Sequence, residues 1–184
     1  MRTIVEGMLP QQFLLDLGVY MQTAAHIELA VWQTTMHAEG VDAHSAEEYR
    51  NYVALKLSTK ELICRFRKSG IGCPPFIAER IRSVADEWAN GLETRNLAAH
   101  GAFFWSDQDQ GTLGAAHFFA RGPTKAGKLF EVTQSITRQQ AEDALSSANQ
   151  LLHEVIALRQ MVIEWRYPDG MSDVVEQSSV SEIQ

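Results

Sequence analysis

The sequence predicts a mainly α-helical protein, an up-and-down bundle of four long helices with a small β-hairpin or meander between the third and the fourth. Three observations predict it. Apolar residues recur at helical spacing over four long stretches. Helix start and stop signals bracket those stretches. Between Ala102 and Ile136 the period changes to short β-prone runs separated by turn-forming clusters.

Pro10 opens the first helix, which runs to about Ala38 with Gly40 just beyond as a stop. Phe13, Leu17, Tyr20, Ala24, Ile27, Val31 and Thr35 fall within about 40° of one direction on its wheel, with Glu28 at the edge of that stripe. Ser45 and Glu48 have the spacing of a capping box and start the second helix. It carries Tyr49, Tyr52, Val53, Leu57, Ile63 and Phe66, reaches about Lys68, and ends at Gly70 and Gly72. Pro74-Pro75 opens the third, where proline is tolerated. There Ile77, Ile81, Val84, Trp88 and Leu92 recur at spacings of 4, 3, 4 and 4. Asn90-Gly91 offers a stop, with Thr94 as a new cap, but the stripe continues to Ala99 and favours one helix. Phe103-Phe104-Trp105, Thr112 to Ala120 and Lys128 to Gln134 read as strands, with turns at 106–111 and 121–127. Thr137 caps the last helix, which runs to about Arg166 on a face of Ala144, Ala148, Leu151, Val155, Leu158, Val162 and Trp165. The expected organisation is one domain over 1–167, with the β insert at about 102–136. An acidic tail, 168–184, has the composition of a disordered segment.

The chain has 184 residues, 45% apolar and 21% charged, which excludes a wholly disordered protein. No uncharged apolar run approaches the ~20 residues of a membrane helix, so no membrane partner is expected. The N-terminus lacks an apolar signal core, and a cytoplasmic setting is expected. Cys64 and Cys73 form neither a disulfide framework nor a zinc knuckle, and read as reduced, partly buried thiols. The net charge of −7 disfavours nucleic acid in bulk, yet Lys56 to Arg82 holds seven basic residues and two acidic ones. That window is either a solvated basic face or a local anion-binding surface.

Phosphate-loop and dinucleotide glycine motifs are missing, so no cofactor is expected. No metal is expected either: His37, His44 and Glu47 flank a loop and read as solvated, and His153-Glu154 lacks a second histidine. His26, near Glu28, reads as a surface or core histidine. Trp32, Trp88, Trp105 and Trp165 read as core anchors.

The informative segment is Glu93-Thr94-Arg95-Asn96-Leu97-Ala98-Ala99-His100-Gly101. Arg95 falls in the middle of the apolar stripe of the third helix, which is costly unless the guanidinium is paired or faces a pocket or partner. A buried carboxylate such as Glu28 is one such pair. Asn96 and His100 share a face. Arginine grips phosphate through a planar fork, and histidine moves protons near neutral pH. Together they suffice to cleave RNA without a metal, with the ribose 2′-hydroxyl as nucleophile.

Arg95-Asn96 followed by His100-Gly101 resembles the R-x4-6-H motif of HEPN domains, which lies late in the third long helix of an α-helical bundle. The resemblance spans about residues 10 to 166. It implies an endoribonuclease-like site built across a homodimer, with Arg95 and His100 as the catalytic pair and Asn96 as the polar residue that follows the arginine. It also implies a toxin or defence component, with RNA as substrate and an antitoxin-like protein as partner. Toxin-type members often carry an aromatic two residues after the histidine, where this chain has Ala102. The alternative is a catalytically silent HEPN-like dimer that binds a protein or a nucleotide.

Overall fold

The computed structural model describes residues 3–41, 45–105, 112–121 and 128–168. Among these residues the chain is mainly helical, with seven α-helices and one three-stranded antiparallel sheet. The helices are α1 (Ile4–Met8), α2 (Gln11–Ala38), α3 (Ala46–Val53), α4 (Thr59–Ser69), α5 (Pro75–Asn90), α6 (Leu92–His100) and α7 (Arg138–Arg166). A short 3-10 turn, Gly70–Gly72, follows α4. No described helix is long and apolar enough to cross a membrane.

Local chemistry explains most boundaries. Thr3 and Glu6 cap α1 reciprocally, an element that the apolar periodicity did not reveal. Gly40, at φ 75°, ends α2 in a Schellman arrangement: its N–H donates to the His37 carbonyl and the Val41 N–H to the Met36 carbonyl. A side chain at Gly40 would also collide with the Arg166 guanidinium. Thr137 and Gln140 exchange backbone-to-side-chain hydrogen bonds at the start of α7, the threonine–glutamine form of the capping box.

Two expected helices are divided. The second becomes α3 and α4, because Lys56 adopts a left-handed conformation and Ser58 and Glu61 form a complete capping box that starts a new helix. Ser45 caps α3 through the Glu48 N–H as expected. The third is interrupted at Gly91, which has no side chain with which to cap α6. The break is slight: Gly91 keeps right-handed helical angles, and the Arg95 N–H still donates to its carbonyl. Thr94 therefore lies inside α6 and caps nothing.

Of the hairpin or small meander expected, the β insert is the meander, three-stranded: β1 (Ala102–Trp105), β2 (Thr112–Arg121) and β3 (Lys128–Thr137), in that order. Ala102 pairs with Ala116 and Ala115 with Gln134, so β2 is the central strand. Of the turn expected at 121–127, Arg121 instead ends β2; the turn expected at 106–111, the rest of the second turn and all but Pro168 of the tail expected at 168–184 lie outside the described residues.

The chain divides into two compact units. One comprises Met1–Ile27 and Glu87–Leu152, the other Glu28–Asp86 and His153–Gln184. The second unit has a dense core: Val31, Leu62, Phe66, Ile77, Ile81, Val155, Leu158 and Val162 are completely buried. Thr34 and Thr35 are buried with them, their hydroxyls donating to the carbonyls one turn back, Ala30 and Val31, at 2.7 Å. Tyr52 stacks edge-on against Trp32, with ring centroids 5.2 Å apart, and Arg65 lies over the Tyr52 ring while its guanidinium grips Glu39. Among the described residues, the first unit buries Ile27, Trp88, Leu97, Leu113, Ala115 and Leu151. Phe13 of α2 packs edge-on against Phe103 of β1 there, at 5.1 Å.

Candidate functional site

The Arg95–His100 segment forms the last two turns of α6, in the first unit. Leu97 is its buried anchor; Arg95 is half-buried, and Asn96 and His100 are exposed. The Arg95 guanidinium donates a long hydrogen bond, 3.4 Å, to the Asn96 side-chain carbonyl. Its charge also reaches Tyr20 of α2, where it partly offsets the burial that raises the phenol above its ordinary range. The stripe predicts Arg95 in the middle of an apolar face, and the structure leaves it half-buried there.

The α-helix continues through His100, which keeps Arg95 and His100 about 140° apart on one helix. Gly101 then turns the chain into β1. Its N–H caps the helix on the Leu97 carbonyl at 2.7 Å, and a Cβ added to it would stand 2.5 Å from that same oxygen. Glycine here is a requirement of close approach, and it fixes where His100 ends the helix.

Beside the motif lies an open cavity of ≈740 Å³. Phe13, Leu17 and Tyr20 supply one wall, and Phe103 and Leu97 supply part of another. Asn96 and Glu93 of α6, Gln134 of β3 and Gln140 of α7 bring hydrogen-bonding groups to it. These lining residues all belong to the first unit. The expectation that Phe13, Leu17 and Tyr20 are core is met only in part, because all three are half-buried and face this space. Periodicity does not distinguish a core stripe from a cavity wall, since both need apolar residues on one helical face.

The remaining candidates separate clearly. His37 is buried at the end of α2, its ring edge-on to Tyr167, with Nδ1 lacking a hydrogen-bond partner, while Glu47 is exposed on α3. His44 lies outside the described residues. No cluster of three or more His, Cys, Asp or Glu side chains suited to a metal occurs among the described residues. His26 and His153 are exposed. Of the tryptophans, Trp88 is buried and Trp32 and Trp165 are half-buried. Cys73 is partly buried, which raises its thiol, whereas Cys64 is exposed rather than partly buried.

The basic window is less available than its composition implies. Arg65 is held by Glu39 and Arg67 by Asp86, at 2.7 and 2.6 Å, and Arg80 leans on the Met161 sulfur. Compared with known proteins, the chain matches no family model, no curated protein and no solved structure.

Proposed function

We propose that the protein is a HEPN-like, metal-independent endoribonuclease that acts as a homodimer of four-helix bundles, in the role of a toxin or defence component. The observation that carries this reading is the exposure of Asn96 and His100 beside half-buried Arg95, at the end of the helix that precedes the sheet. Packing two such helix ends against each other brings the arginine of one copy towards the histidine of the other, which a single helix holds apart.

In that cleft Arg95 grips the scissile phosphate and neutralises the charge that builds on it. His100 moves the proton between the ribose 2′-hydroxyl and the leaving 5′-oxygen. Asn96 holds the guanidinium. The products carry a 2′,3′-cyclic phosphate or its hydrolysis product.

The test is cleavage of mixed RNA by the purified chain in EDTA, beside His100→Ala, Arg95→Ala and the double variant. Each single change removes most activity and the double change removes little more, because the residues act as one unit. Activity that EDTA abolishes and magnesium restores refutes the mechanism. The second reading, a silent protein- or nucleotide-binding dimer, is favoured by the internal pairing of Arg65 and Arg67, which leaves less positive surface for RNA. It predicts an intact parent with no cleavage.

A further inference from the structure

The cavity beside α6 has a combination of walls that neither the motif nor the fold requires. Three aromatic rings, Phe13, Tyr20 and Phe103, line it together with aliphatic side chains. Its hydrogen-bonding groups are carboxylates, amides and hydroxyls, and among the described residues no lysine or arginine lines it. Such a lining repels phosphate and takes a flat, neutral group whose edge carries hydrogen-bond donors. Its volume of ≈740 Å³ lies within the ~300–1,000 Å³ typical of small-molecule pockets.

The cavity is also tied to the motif at two points. Asn96 lines it and accepts a hydrogen bond from Arg95. Tyr20 lines it and feels the charge of Arg95. The one cation of the motif helix therefore stands at the edge of an otherwise acceptor-rich pocket.

We propose that this cavity is a base pocket. It takes one unpaired purine of a single-stranded RNA, stacked on Phe13, Tyr20 and Phe103 and held at its edge by Glu93, Asn96 and Gln134, with the adjoining phosphate left outside at Arg95. The proposal rests on the ribonuclease reading and gives it a substrate class: RNA cut beside an unpaired purine. A base stacks on aromatic rings whatever its identity, and the edge groups supply the selectivity. A carboxylate matches the paired N1–H and amino donors of guanine, which uracil lacks.

The experiment has two arms. In the first, the full chain carrying His100→Ala is titrated with fluorescein-labelled single-stranded oligomers, purine-rich or pyrimidine-only, at one salt concentration. Purine-rich RNA binds at least about fivefold tighter, the discrimination expected of a good edge contact. Glu93→Gln and Gln134→Ala, both at exposed positions, bring that ratio close to one without lowering the melting temperature. In the second arm the parent cleaves a mixed RNA, its cuts cluster beside purines, and the same two substitutions spread them evenly.

Equal affinity for the two RNAs, no binding to either, or a preference that survives both substitutions overturns the pocket. Cleavage that persists in any of these cases leaves the ribonuclease reading standing. A purine preference that both substitutions abolish, in a parent that cleaves nothing, keeps the pocket and overturns the ribonuclease reading.

Discussion

Arg65 separates arginines that hold the fold from Arg95, the arginine proposed to grip RNA. Its guanidinium meets Glu39 through two arms, Nε to Oε1 at 2.8 Å and the terminal nitrogen to Oε2 at 2.7 Å, and lies 4.8 Å from the Tyr52 ring centre. The side chains of Arg65 and Glu39 are 33% and 24% exposed. Solvent therefore screens the pair in part. Exposed pairs contribute roughly 0.2–1 kcal/mol, and breaking a fully buried pair costs roughly 3–5 kcal/mol. A two-armed pair at this exposure belongs nearer the lower range, at about 1 kcal/mol of coupling. The contact with Tyr52 adds roughly 0.5–1 kcal/mol to the loss in Arg65→Ala. Arg65→Ala should then cost about 1.5–2 kcal/mol and Glu39→Ala about 1 kcal/mol, with the double variant less destabilised than their sum. Urea unfolding followed by circular dichroism measures the cycle. RNA affinity and its salt dependence should stay unchanged in Arg65→Ala, whereas Arg95→Ala weakens binding. Additive losses, or a fall in RNA affinity in Arg65→Ala equal to that in Arg95→Ala, would refute this division of roles.

Two further predictions concern the site's support and the second unit. Gly101→Ala should destabilise the chain by roughly 1–3 kcal/mol and lower cleavage with His100 intact, because the new methyl group meets the Leu97 carbonyl and displaces the helix end; an unchanged melt and unchanged cleavage would contradict it. His37 should make the protein acid-sensitive. Burial, and then the charge of Arg159, hold its imidazole below the ordinary 6.5, so as pH falls through that value the unfolded chain takes up the proton before the folded one and stability declines. Comparing urea midpoints at neutral and mildly acid pH should show a larger acid loss in the parent than in His37→Gln, and parallel curves would exclude the effect.

The sequence by itself determined the α-rich class, the helix limits set by Pro10, Gly40, Thr137 and Ser45, and the place of the motif on the helix before the sheet. These are local matters: a cap or a left-handed glycine acts through neighbours in the chain. The break between α3 and α4 was written there too, in Ser58 and Glu61, but Leu57 and Ile63 carried the apolar pattern across it. Tertiary structure decided the rest. It buried Ile27, Val31 and Thr35 of α2 while leaving Phe13, Leu17 and Tyr20 of the same stripe to line a cavity. It paired Arg65 with Glu39 and Arg67 with Asp86, tying two of the seven basic residues of that window to carboxylates. It set Asn96 at the meeting of the motif and the cavity. Partners 19 and 26 residues apart along the chain, and a cavity walled by three helices and a sheet, leave no periodic trace, because they depend on which surfaces remain uncovered after the elements pack.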